Sequence, residues 1–479
     1  MSQTRDRRHD ERLLACLAWF ERYDGLWDDP RAFRAAIASP PPVDLLVPPG
    51  GPAPDRVRAM LERRGLPCEA FPWAPHHLRV SGWSGAGTLP AVVFGFAFPQ
   101  GVVSSLPPQL LAPRPGETVL DACAAPGGKT VLLAALGARR ARIVAGDVTA
   151  SRAGLLVQIL ARGGVASAIV VRQDAAAFPV VSSFEKVMLD APCSGEGTCR
   201  LPRLSYRPGD EQGLARAAAI QSRLLARGLD LLAPGGRLVY STCTFAPEEN
   251  EAVLSRVLGG RDEIDLEQLP ADVPGQPGVP GWNGQLFDPR VTRARRIGPQ
   301  HTGSWGFFVA RLVKDESAAP VRRPSRYGPP EPPAEDAGDR ALFTGYLARR
   351  FGVDASTLED HLVLSRGRDL WLLSRPSPGV PDVDIGRLSV IAPGLRALRR
   401  TGRGARVTTG ALRWLDERIA ANVVDIDLDR AAALLDGTNT EAPPGLDDGQ
   451  VAVRCEGKVV CGGFVHHGRL ELEVPKAWR

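Results

Sequence analysis

The chain has 479 residues, 44% of them hydrophobic, which allows roughly two to four packed domains, and it contains no apolar run long enough to cross a membrane. Its eight cysteines include no CxxC pair, which excludes a disulfide-dense scaffold and a paired-knuckle zinc site; free thiols in a reducing cytoplasm, with no metal, are expected. The net charge of +5 is carried almost wholly by arginine, with lysine only at 129, 186, 314, 458 and 476, an excess that fits either a polyanionic partner or a GC-rich genome.

MSQTRDRRHDER (1–12) carries charges of both signs. The apolar LLACLAWF after it is short and lacks a small-residue cleavage site, so no signal peptide is expected. LVPPGGPAP (46–54) is a Pro/Gly-rich patch within the N-terminal region. From about 109 to 314 the pattern is strand, glycine turn, helix, repeated. ETVLDA (117–122), ARIVAGD (141–147), ASAIVVRQD (166–174), EKVMLDAP (185–192) and GRLVYSTC (236–243) read as strands, the last after a turn APGG. SRAGLLVQILARGG and GLARAAAIQSRLLARGLDLLAPGG read as helices; in the second, Leu214, Ala218, Leu224, Leu225, Leu229 and Leu232 recur at helical spacing. WGFFVARLV (305–313) reads as a last strand. This alternation predicts an α/β fold with a parallel, doubly wound sheet and a ligand at the carboxyl ends of its strands. The segment 315–340, rich in Pro, Gly and charge, reads as a linker before a C-terminal region, 341–479.

DACAAPGGKT (121–130) carries the chain from the first of these strands into a helix. A Walker A loop would need glycine where Cys123 stands, and no GxGxxG is present, so both nucleotide-phosphate readings fail. What remains is a tight turn, Pro126–Gly127–Gly128, where backbone can approach a ligand closely. Acids follow at strand ends: Asp147, Asp174 and Asp190. Carboxylates suit ribose hydroxyls and a cationic centre and repel phosphate, which describes S-adenosylmethionine; alternatively, each Asp caps a turn.

Two cysteines, Cys193 and Cys243, each follow a strand. A thiolate added to carbon 6 of cytosine makes carbon 5 nucleophilic, and two thiols plus a carboxylate at adjacent strand ends suit that chemistry. Pro247 is expected in the first turn of a helix after Cys243, with Glu248 and Glu249 near its start. The plain reading of a cysteine is a small buried hydrophobe, and it is applied to Cys16, Cys68, Cys455 and Cys461; Cys123 reads as wall and Cys199 is left open.

PGETVLDACAAPGGKT, AGDVTASR, VVRQDAAAFP, VMLDAPCSGEGTCR, the Gln221 helix, LVYSTCTFAPEENE and GSWGFFVARL together resemble the Nop/Sun family of RNA cytosine-C5 methyltransferases. The resemblance implies a Rossmann-like methyltransferase domain (101–314) with S-adenosylmethionine as cofactor. It implies Cys243 as nucleophile, Cys193 as the residue that assists product release, and Asp190 at the base edge. It implies that Cys123, Ala124, Ala125, Pro126, Gly127, Gly128 and Lys129, with Asp147, Asp174 and Asp190, hold the cofactor. FPWAPHHLRV (71–80) and Gln100 are similar to parts of the family's N-terminal RNA-binding module, here 1–100, although Val103 stands where the family has Ser and Gln300 separates Pro299 from His301. DLWLLSRP, APGLRALRRTGRGARVTTGALRWL and the ending GGFVHHGRLELEVPKAWR resemble the C-terminal part of bacterial RsmF-type enzymes, which implies an α+β, PUA-like RNA-binding region. The implied partner is RNA, in the first place small-subunit (16S) rRNA, free or within the ribosomal subunit, with tRNA as alternative; a monomer is expected. A non-catalytic RNA-binding assembly factor is the rival reading. Arg290, Arg293, Arg295 and Arg296, and Arg399, Arg400, Arg403 and Arg406, are candidate phosphate contacts or simply solvated surface. Trp73 and Trp83 read as core residues or base-stacking platforms.

Overall fold

The structure, a computed structural model, describes residues 2–83, 89–180, 183–200, 208–319, 334–375, 383–402, 404–436, 438 and 441–475, with side chains described from residue 11. Arg403, most of the expected linker and the terminal KAWR lie outside these residues.

The central sheet is built from five parallel strands: β1 (Thr118–Asp121), β2 (Arg142–Asp147), β3 (Ala168–Arg172), β4 (Phe184–Asp190) and β5 (Leu232–Thr242). Their order is β3-β2-β1-β4-β5; β6 (Phe307–Lys314) lies next, antiparallel to β5, and short antiparallel strands extend the sheet beyond it. These runs are apolar on both faces because helices cover both; β1 and β2 are buried at every position. The chain reverses direction across the sheet between β1 and β4, so the crevice of a doubly wound fold opens there. Because the five strands are parallel, Asp121, Asp147, Asp190 and Thr242 all end on one edge.

Helices α1 (Gly128–Leu136), α2 (Ala150–Arg162), α3 (Glu211–Leu231) and α4 (Glu251–Leu258) flank the sheet. In α3 the Asp210 side chain accepts the Gly213 N–H at 2.7 Å and caps the first turn. Its stripe Leu214, Ala218, Leu224, Leu225 and Leu229 is buried, while Ile220 on the opposite side is 41% exposed. The APGG segment is not a turn between elements: it lies inside β5, where Gly235 takes φ 72° and the pairing with β4 slips between Phe184 and Lys186. Nor does Pro247 begin a helix. Residues 247–250 form turns, and α4 starts at Glu251.

Outside the central sheet the N-terminal region divides in two. Helices Ser2–Phe20 and Pro30–Ala38, joined by a 3-10 turn, share a core with Cys199, Leu214 and Phe245 beside the β4 and β5 loops. Residues 43–99 form a four-stranded antiparallel sheet. The C-terminal region contains two further four-stranded sheets and the helices Ala337–Phe351, Thr409–Leu415 and Leu428–Leu435. It also supplies Val390–Ala392, which pairs antiparallel with β3 and extends the central sheet. Leu45, Val57 and Phe94 of the N-terminal region share one core with Val424, Val451 and Cys455 of the C-terminal sheet.

Candidate active site

The loop after β1 is pinned from both sides. Asp121 is fully buried, accepts the Thr130 hydroxyl at 2.7 Å, and is pushed by burial to a pKa of about 7. Ala124 donates to the Gly146 carbonyl at 2.8 Å, and Arg152 donates to the Ala125 carbonyl at 3.0 Å. The two glycines make room for protein. At Gly127 (φ 121°) a Cβ would lie 2.8 Å from Leu156 Cδ1, and at Gly128 it would collide with Gln100 Oε1. The close approach expected of a ligand is therefore made by side chains of α2 and of the N-terminal region. Both amide atoms of Gln100 are buried with no hydrogen-bond partner.

The acids divide by environment. Asp147 is 3% exposed and accepts the Thr149 N–H at 2.9 Å, with Arg152 at 3.5 Å. Asp174 is exposed and caps the turn Ala175–Ala177 through the Ala176 N–H. Asp190 is partly exposed; it pairs with Lys129 at 2.8 Å and accepts the Ser241 hydroxyl at 2.7 Å. Burial lowers the Lys129 ammonium, but Asp190 and the Cys243 sulfur outweigh it, and the net shift is upward. Lys129 is thus a fixed positive charge. Burial and the neighbouring Asp121, Asp190 and Asp147 push the Cys123 thiol up, which suits a wall residue and not a nucleophile.

The loops after β4 and β5 bring Cys193 and Cys243 to an Sγ–Sγ distance of 3.3 Å. Both side chains are partly exposed. The hydrogen bond to Cys243 and then burial push the Cys193 thiol well up, and either sulfur can donate in the contact between them. The loops are knitted by Ser194 Oγ to Thr244 Oγ1 at 2.8 Å and by the Gly197 N–H to the Cys243 carbonyl at 2.8 Å. Thr242 donates to Asn250 at 2.6 Å, and Asn250 donates to the Thr244 carbonyl at 3.1 Å. Cys243, Cys193, Asp190 and Lys129 thereby form one cluster at the switch point. Cys123 and Asp147 line the adjoining end of β1 and β2, and Asp174 stands beyond β3. A cavity of about 530 Å³ opens on Cys193 and Pro192, walled by Trp19, Leu214 and Arg216. The larger cavity, about 860 Å³, lies between α2 and the C-terminal region and includes none of these residues.

Sequence reading missed the buried polar residues behind this cluster. Glu196, fully buried, accepts Trp19 Nε1 at 2.9 Å, the Tyr23 hydroxyl at 3.0 Å and the Phe245 N–H at 3.1 Å. Glu249, also fully buried, accepts the Ser194 N–H at 3.0 Å and Gln221 Nε2 at 2.7 Å. Gln221 had a legible signal, being the polar residue on the apolar stripe of α3. The two glutamates had none, since neither lies on an apolar stripe that would mark it as buried. Cys199 is buried against Cys16. The arginine patches are mostly committed to protein. Arg296 is 1% exposed and forms a two-pronged pair with Glu251 at 2.6 and 2.7 Å, so it is neither surface nor a phosphate contact. Arg293 pairs with Asp265, Arg290 with Asp288, Arg399 with Asp369, Arg400 with Asp339 and Arg406 with Glu473. Trp73 packs on the main core and Trp83 on the second one.

Residues 108–313, from before β1 to the end of β6, match the family described as 16S rRNA methyltransferase RsmB/F. The ribosomal RNA small subunit methyltransferase F of Vibrio atlanticus is 30% identical over 80% of this chain and 79% of its own length. The chain belongs to the RsmB/F methyltransferase family. A tRNA (cytosine(49)-C(5))-methyltransferase of Pyrococcus abyssi is 33% identical over 61% of this chain and 94% of its own length. Of the longer mouse and human relatives that it matches at 36% identity, the chain spans 29–30% of the length. A solved methyltransferase homologue from Pyrococcus horikoshii, 31% identical, superposes with a TM-score of 0.55 over 64% of this chain and 99% of that one. The Rossmann-like fold of the central sheet is that of the family, and the family's methyl donor, S-adenosylmethionine, is the cofactor of this chain. The site fits that group: Asp147 and Asp190, at the ends of the strands on either side of β1, are acceptors that favour hydroxyls and a sulfonium and disfavour phosphate. The described residues contain no helix long and apolar enough to cross a membrane.

Proposed function

We propose that this chain methylates carbon 5 of cytosine in RNA through a covalent adduct on Cys243. The observation that carries the reading is the 3.3 Å contact between Cys193 and Cys243 at the ends of adjoining strands, beside the Lys129–Asp190 pair. Cys243 bonds to carbon 6, and carbon 5 becomes an enamine carbon. Bound S-adenosylmethionine supplies the methyl group. Carbon 5 then loses its proton, the C6–S bond breaks, and Cys243 leaves as thiolate; Cys193 assists this release. Asp190, fixed by Lys129 and Ser241, holds the base edge. Asp147 and Asp174, with the loop Cys123 to Lys129, hold the cofactor. The target cytosine enters unpaired or flipped, because carbon 6 is closed off within a stacked helix.

The substrate is small-subunit rRNA, supported by the family match and by the similarity to methyltransferase F over four-fifths of the chain. The archaeal relative that acts on tRNA supports tRNA as the second reading. The flanking regions 1–100 and 341–479 serve RNA binding, and the chain acts as a monomer. Bisulfite sequencing of rRNA and tRNA, with and without the gene, is expected to show a cytosine in 16S rRNA that loses methylation. Loss confined to tRNA would replace the first substrate by the second. With RNA containing 5-azacytosine, the wild type is expected to form an adduct that survives denaturation and Cys243→Ala to form none. Normal methylation by Cys243→Ala would overturn the covalent reading.

A further inference from the structure

Gln221 and Glu249 have no contact assigned to them in the reaction above, yet both are fully buried within the cysteine cluster's support. Oε2 of Glu249 accepts the backbone N–H of Ser194 at 3.0 Å and Nε2 of Gln221 at 2.7 Å. The same Gln221 nitrogen donates to the Pro192 carbonyl at 2.9 Å. One carboxylate–amide pair therefore grips the residue before Cys193 and the residue after it. Glu249 is itself tied to the other cysteine's strand, because its carbonyl accepts the Tyr240 hydroxyl at 2.6 Å. The grip spans three elements: the loop after β4, helix α3, and the turn that follows Cys243.

A buried carboxylate is unfavourable unless it is well paired, and two oxygens here, Oε1 of Glu249 and Oε1 of Gln221, have no partner at all. A purely structural bridge between the loops would be made at lower cost by apolar side chains. The charge also acts on the neighbouring thiol. Burial pushes the Glu249 carboxyl up to about 7; in its ionised form its charge adds, after the hydrogen bond to Cys243 and burial, to the forces that raise the Cys193 thiol.

We propose that Glu249, acting with Gln221, is a positioning residue that sets the Cys193 thiol against Cys243 for release of the methylated base. The proposal rests on the reading that Cys193 assists release.

The test uses the full chain, a 16S rRNA transcript and tritiated S-adenosylmethionine, following first-turnover methyl transfer, multiple turnover and the denaturation-resistant adduct. In Glu249→Ala, first-turnover transfer is expected to persist, while multiple turnover falls about 10–100-fold, the loss for one buried hydrogen bond to a charged group. The covalent complex is expected to accumulate, as it is in Cys193→Ala, which lacks the thiol that assists release. Glu249→Gln, which keeps an acceptor for both donors, restores most of the turnover. Adding Glu249→Ala to Cys193→Ala changes nothing further. The proposal is overturned if Glu249→Ala turns over like the wild type, if transfer and turnover fall in equal proportion, or if the double variant is slower than Cys193→Ala. Should Glu249→Ala fail to fold, Gln221→Met carries the same expectations. Absence of any adduct in the wild type would remove the covalent reading and this proposal together; a wild-type adduct without accumulation in the variants removes this proposal alone.

Discussion

Arg296 shows how far a side chain's surroundings can depart from its type. It sits in an arginine-rich segment, yet Glu251 and the Phe245 carbonyl occupy its guanidinium in the interior. Removing one partner strands the other's charge, so Glu251→Ala is expected to cost about 3–5 kcal/mol of stability, measured by urea unfolding. A cost near that of a surface pair would contradict this account of the site. Asp121 gives a pH signature. Burial raises its folded pKa to about 7, above the carboxylate range of the unfolded chain, so the folded state binds the proton more tightly. Its contribution therefore favours folding at acid pH and declines as pH rises from about 4 to about 7. Asp121→Asn removes that decline. Its melting temperature relative to wild type is expected to rise across this window and then level off; a constant difference would show that Asp121 is ionised in the folded state throughout.

Phe245, two residues past Cys243, couples a helix pair to the catalytic loops. Its ring meets Phe20 at 5.4 Å, Phe33 at 5.0 Å and Trp27 at 5.6 Å between centroids. All four are nearly or fully buried, so the helices Ser2–Phe20 and Pro30–Ala38 are held to the site by one aromatic cluster. Phe245→Ala is expected to cost about 3–5 kcal/mol and to loosen these helices. Limited proteolysis would then cut within residues 11–38 before the central sheet, and methylation would fall with it. Cleavage elsewhere first would show that the helices are anchored by other contacts.

The whole molecule is more interlocked than a linker at 315–340 implies. The C-terminal region adds Val390–Ala392 to the central sheet and closes the core that Leu45, Val57 and Phe94 begin. A chain ending at residue 340 would expose that apolar face and leave β3 as a free edge. It is expected to aggregate or to melt well below the full chain in scanning calorimetry. A truncated chain as stable as the full one would show that the shared core contributes little.

The local physics of the sequence determined the strand–helix alternation, the glycine turn at 127–128 and the acids that close β2 and β4. The pairing of two strand-end cysteines followed from the order of strands, because parallel neighbours end on the same edge. The buried partners were decided only by the tertiary structure. Glu249, Gln221, Glu196 and Arg296 take their environments from segments about 30 to 180 residues away, and no window of sequence carries that distance. The same holds for the two glycines, whose neighbours Leu156 and Gln100 come from different elements. It holds too for the short strand Val390–Ala392, too brief to show a period and given its place by the exposed edge of β3.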